Sequence, residues 1–176
     1  FLQGGLDLAD VEILDLDEEK YRGGEWAVRL YHSARTPYEP ALTQASKSLI
    51  GGASEHEAKA DIAKSILDEY QDQPGMLLLL GAGSTLEAVG DAFGIDKTLL
   101  GIDAVADGAL VGKDLNERQL LDLLASYPKR RLILSPIGAQ GFVLGRGNLQ
   151  ISPKVIREIG RDNIVVVSTP AKLAAT

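Results

Sequence analysis

Between the breakers Pro74-Gly75 and Gly81-Ala82-Gly83 stand five consecutive apolar residues, Met76-Leu77-Leu78-Leu79-Leu80. A strand with one wet face alternates apolar and polar side chains. A strand with no polar residue must be covered on both faces, as in a sheet held between two layers of helices. Further apolar runs at 98–102, 131–134 and 164–167 read as strands of the same kind, with a short one at 109–111 after the turn Asp107-Gly108. Helical patterns separate them. Residues 55–70 carry Ala58, Ile62, Ile66 and Tyr70 on one face after a Ser54-x-x-Glu57 capping box, and residues 84–93 place Leu86, Val89 and Phe93 inward before Gly94. A third helix is capped by Asp114 and buries Leu120, Leu121 and Leu124, and a fourth opens at Ser152-Pro153 and closes at Gly160. This alternation predicts an α/β fold, a mostly parallel sheet flanked by helices, over residues 51–176 as one folding unit. Residues 1–50 predict an irregular, partly β segment, with strands at 11–14 and 26–32 among Gly and Pro breakers.

Formal charge is −7 and no Lys/Arg block interrupts the acidic background, so a nucleic-acid footprint is not expected. The absence of cysteine excludes disulfides and thiolate chemistry and agrees with a cytoplasmic location. Only His32 and His56 remain as imidazoles, and neither has a partner in sequence for a metal site. No apolar run is long enough for a membrane span. The chain opens at Phe1, and we read it as part of a longer protein, assembled as a homo-oligomer.

The strands run out into small or polar residues: Leu80 into Gly81-Ala82-Gly83-Ser84-Thr85, Ile102 into Asp103, Leu134 into Ser135 to Gly141, and Val167 into Ser168-Thr169. In a parallel sheet these ends share the carboxyl edge, where open α/β sheets bind ligands. Gly81, Gly83, Ser84 and Thr85 suit a phosphate or ribose at a helix N-terminus, and a plain capped turn is the alternative. Asp103 suits orienting a hydroxyl, holding a metal ion or acting as a base, against capping its own loop. The loop with Gly138, Gln140, Gly141, Arg146 and Asn148 has glycines that permit close backbone approach. Its Arg146 suits a phosphate, Gln140 and Asn148 suit an adenine edge or a sugar, and Asn148 equally suits a turn. Gly108 to Asp114 lacks the spacing and the hydroxyl of a P-loop and reads as a turn entering a helix.

Three blocks together resemble the C-terminal part of the ATP-NAD kinase-like family that includes the AcoX proteins: Gly81-Ala82-Gly83-Ser84-Thr85, Leu99-Leu100-Gly101-Ile102-Asp103-Ala104-Val105, and Ser135 through Pro153 leading to Asn163-Ile164-Val165-Val166-Val167-Ser168-Thr169. The resemblance implies the C-terminal region of an NAD kinase/diacylglycerol kinase-like fold. It implies binding of NAD and of ATP or polyphosphate, with a divalent metal such as magnesium, for phosphoryl transfer to the 2′-hydroxyl of the NAD adenosine ribose. The Gly-Gly-Asp-Gly run of that family belongs to its N-terminal domain and does not occur here, so a kinase would draw its aspartate from outside these residues. Two other readings stay open: a phosphosugar isomerase or deaminase-like domain, and a non-catalytic nucleotide sensor.

Overall fold

The computed structural model describes residues 7–17, 20, 22, 28–38, 53–136, 143–145 and 147–174. By internal contacts the chain divides into two compact units, Phe1–Ser48 and Leu49–Thr176.

The first unit is built on an antiparallel hairpin of β1 (Asp7–Leu16) and β2 (Val28–Tyr38), longer than the two short strands the sequence suggests. Its register shifts once, between Ile13 and Leu14, where Tyr31 is left out of the pairing as a bulge. Pro37, expected to mark a break, pairs with Leu8 inside β2. A two-stranded ribbon has edges on both sides, where a residue without an N–H is tolerated. His32 lies exposed on this hairpin.

The second unit is a five-stranded sheet between helices. In chain order it comprises α1 (Ala53–Tyr70), β3 (Met76–Leu80), α2 (Ser84–Ala92), β4 (Asp103–Ala106), β5 (Ala109–Gly112), α3 (Glu117–Ser126), β6 (Lys129–Leu134), α4 (Pro153–Ile159), β7 (Ile164–Val166) and α5 (Pro170–Ala174). The strands lie in the order β5-β4-β3-β6-β7. β3, β6 and β7 are mutually parallel, and β4 and β5 form an antiparallel hairpin beside β3.

All five residues of β3 are buried, and their side chains alternate between two cores as the pleat requires. Leu77 and Leu79 join Leu120 and Leu124 of α3 and Val155 and Ile159 of α4. Met76, Leu78 and Leu80 join Ala63, Ile66 and Tyr70 of α1 and Leu86 and Val89 of α2. Each fully buried leucine contributes about 2 kcal/mol of apolar transfer, so the run that predicts a doubly covered strand also accounts for much of its cohesion.

Three local readings change. The 98–102 run is not a strand: the strand starts where that run ends, at Asp103, and its direction is reversed, since Leu80 pairs with Asp103 and Leu77 with Ala106. Apolar content signals burial, and here it buries a loop whose Ile102 joins the core. Asp114 does not cap α3. Asn116 does, accepting from the Gln119 N–H while the Gln119 side chain accepts from the Asn116 N–H. Ser54 falls inside α1, which begins at Ala53. The start at Ser152-Pro153 stands as read, with the Ser152 hydroxyl accepting from the Val155 N–H.

Candidate functional site

Leu80, Leu134 and Val166 end the three parallel strands on one edge, and the antiparallel β4 brings the start of its strand, Asp103, to the same edge beside Leu80. The predicted convergence therefore holds for Asp103 although the strand direction behind the prediction does not.

Gly81 leaves β3 in close contact with β6: its N–H donates to Ile133 O at 2.9 Å, and a Cβ at this position would lie 2.7 Å from Leu134 Cδ2 and 3.1 Å from Ile133 O. Gly83 has φ of +104°, a conformation that favours glycine, and forms the N-cap of α2. Its N–H donates to Leu99 O at 2.7 Å, tying the turn to the loop that leads into β4. With Gly83 as cap, Ser84 and Thr85 are the first helical residues, and their N–H groups point out of the helix end without intrahelical acceptors. The chain is thus bent so that the positive end of α2 meets the sheet edge. Ser84 opens onto a groove of about 520 Å³ between α1 and α2, lined also by His56, Lys59, Lys64, Glu87 and Asp91.

Thr85 is fully buried, and its hydroxyl is not open to the groove. It accepts from Lys172 Nζ at 3.0 Å, and the same ammonium donates to Ser135 Oγ at 3.1 Å. Thr169 Oγ1 accepts from the Lys172 N–H at 3.3 Å and donates to Glu55 Oε1 at 3.0 Å. Lys59 Nζ stands 3.7 Å from the same Glu55 oxygen. Burial pushes the Lys172 ammonium below its ordinary pKa of 10.5, with Lys59 acting in the same direction and Glu55 against it. Sequence reading missed this cluster. Lys172, Thr85, Ser135 and Glu55 come from α5, α2, the end of β6 and α1, and no local spacing connects them.

Asp103 is fully buried, and its carboxylate accepts from Thr98 N at 2.5 Å, Thr98 Oγ1 at 2.9 Å and Asp114 N at 2.7 Å. In this arrangement it ties the loop between α2 and β4 to the turn between β5 and α3. Beside it Lys97, 7% exposed, donates to Thr98 O at 2.7 Å and Gly101 O at 3.3 Å. Burial lowers the Lys97 pKa from 10.5 to about 8, against the upward pull of Asp103, Glu87 and Asp114.

Of the long glycine loop, Gly138, Gln140, Gly141 and Arg146 lie outside the described residues. Asn148 is 2% exposed and uses both ends of its carboxamide on the loop itself, accepting from Gly145 N and donating to Val143 O, each at 2.8 Å. That is the turn-forming alternative of the sequence reading, and it shapes the approach to α4.

The family model of the ATP-NAD kinase C-terminal domain matches residues 74–176, more than half of the chain. The chain belongs to that family. The matched span begins just before β3 and takes in every strand of the five-stranded sheet, so the edge described above lies within an NAD kinase-like domain. No characterised protein and no solved structure matches the chain. Among the described residues no helix is long and apolar enough to cross a membrane. Among them, too, no group of three or more His, Asp or Glu converges as a cation cage, and the Asp103 oxygens already accept from N–H and O–H donors. This donor set does not fit a resident divalent ion, and no step below is routed through one.

Proposed function

We propose that the NAD kinase-like domain binds a nucleotide at the edge where β3, β6 and β7 end, as its part of phosphoryl transfer from ATP or polyphosphate to the 2′-hydroxyl of NAD. The observation that carries this is the first turn of α2: Gly83 turns the chain so that the Ser84 and Thr85 N–H groups meet the sheet edge, inside the span matched to the family. Such a helix end receives phosphate oxygens through unpaired N–H groups and the favourable end of the helix dipole. The Ser84 hydroxyl, beside the groove, supplies a side-chain contact. Asp103 serves the site through the loop it holds, and that loop fixes Gly83 through Leu99 O. Gln140 and Arg146 remain candidate ligand contacts in this reading by their chemistry alone, while Asn148 holds its own turn. Any magnesium enters with the ATP phosphates, and the transfer carboxylate comes from outside the described residues.

Calorimetric titration of the chain with NAD, ATP and a sugar phosphate tests this. Saturable binding of NAD or ATP, weakened in Ser84→Ala, supports the nucleotide reading. Binding of the sugar phosphate alone favours an isomerase or deaminase-like domain, and no binding of any of the three refutes the site. Formation of NADP from NAD and ATP, assayed with the domain that supplies the transfer carboxylate present, separates a kinase from a nucleotide sensor, which binds without turnover.

A further inference from the structure

Lys172 has no place in the sequence-derived site, yet it lies over the floor of that edge. An ammonium carries three N–H donors. Two are fixed by the Thr85 and Ser135 hydroxyls, side chains that are 0% and 2% exposed, so the head group is oriented from below. No acceptor for the third is present among the described residues, while the side chain remains half-buried at the surface. A second incompleteness adjoins it. Glu55, 8% exposed, gives one carboxylate oxygen to Thr169 and Lys59, and its other oxygen, Oε2, is buried with no hydrogen-bond partner among the described residues. Buried polar groups are nearly always satisfied, and one that is not marks a place where a donor from elsewhere completes the set.

An oriented cation with a spare donor and, beside it, a carboxylate with a spare acceptor are complementary to a group that carries an anion next to hydroxyls. A phosphorylated ribose is such a group. We infer that Lys172 is a ligand-binding residue, held in place by Thr85 and Ser135, that receives a phosphate oxygen of the nucleotide at the N-terminal end of α2, with Glu55 accepting from a ligand hydroxyl. This rests on the nucleotide reading above and deepens it. Burial already disfavours the Lys172 charge, and the nearest counter-charge, Glu55, is shared with Lys59, so an arriving anion relieves an imbalance built into the apo chain.

The test is calorimetric titration with ADP-ribose and with inorganic pyrophosphate on the unaltered chain, Lys172→Met and Lys172→Arg, each checked for an unchanged circular-dichroism spectrum. Methionine keeps the stem and removes the charge; arginine keeps the charge. Lys172→Met should lose roughly tenfold or more in affinity for both probes, the scale of a hydrogen bond to a charged group, and Lys172→Arg should recover most of it. Glu55→Gln should weaken ADP-ribose relative to pyrophosphate, because only the former offers ribose hydroxyls to a carboxylate, whereas loss of the Glu55 charge can only help the bare anion. Equal affinities for the unaltered chain and Lys172→Met overturn the role of Lys172 and leave the nucleotide reading standing. Failure of the unaltered chain to bind either probe, or NAD, overturns both. Should Lys172→Met unfold, Lys172→Gln takes its place as the uncharged variant: affinity for both probes equal to that of the unaltered chain refutes the assignment.

Discussion

Lys97 gives the sharpest test of how the edge is held together, because its cost to the folded state depends on pH in a way no exposed lysine shares. Its ammonium is buried against Thr98 O and Gly101 O, and its pKa falls from 10.5 to about 8. In the unfolded chain the side chain returns to its ordinary value. Below pH 8 both states are protonated and the full penalty of burying the charge is present. Between about 8 and 10.5 the folded state has released a proton that the unfolded state still holds, so stability rises with pH. Above 10.5 both are neutral and the penalty has gone. That drop in pKa corresponds to at most about 3 kcal/mol. Urea unfolding followed by far-UV circular dichroism from pH 7 to 10.5 measures it, with Lys97→Met as the reference. Other lysines and the tyrosines titrate in both proteins and cancel in the difference, as does the constant offset from the two carbonyl contacts that methionine cannot make. The unaltered chain should gain about 1–3 kcal/mol relative to Lys97→Met across this interval. Parallel stability curves for the two proteins would refute the reasoning, since they would mean that Lys97 keeps its ordinary pKa in the folded chain.

Three further substitutions probe the same edge. Gly81→Ala drives a methyl into Leu134 and the Ile133 carbonyl, and should cost about 1–3 kcal/mol by denaturant unfolding, because the backbone oxygen cannot move aside. Asp103→Asn leaves at least one of the Thr98 and Asp114 donors unmatched in a buried place, and should cost about 2 kcal/mol, read as a lower midpoint at unchanged m-value. Asn148→Ala removes both carboxamide contacts that hold 143–145, and should lower stability by about 1–2 kcal/mol while raising amide exchange at Gly145 in hydrogen-exchange measurements.

The fold was legible because its signals are local. Five apolar residues in a row demand cover on two faces, Ser152-Pro153 marks a helix start, and the Leu120 and Leu124 stripe faces the core; each follows from spacing within a few residues. The errors came where one local signal served two structures. Residues 98–102 are apolar enough for a strand, but three donors gathered on Asp103 bend that segment into a loop, and the strand starts only at Asp103, in the opposite direction. Asp114 suits a cap by residue type, but its N–H is bonded to Asp103, and the cap falls to Asn116.

The sequence by itself determined the α/β class, the doubly covered central strand and the edge at which Gly81 to Thr85 and Ser135 emerge. Periodicity and backbone stereochemistry act through neighbours in the chain. The tertiary structure alone decided what stands at that edge. Asp103 reaches it through an antiparallel strand, Thr85 turns its hydroxyl to a lysine 87 residues away, and Glu55 meets Thr169 across 114 residues. Such pairings depend on which strand ends lie side by side, and only the assembled sheet fixes that.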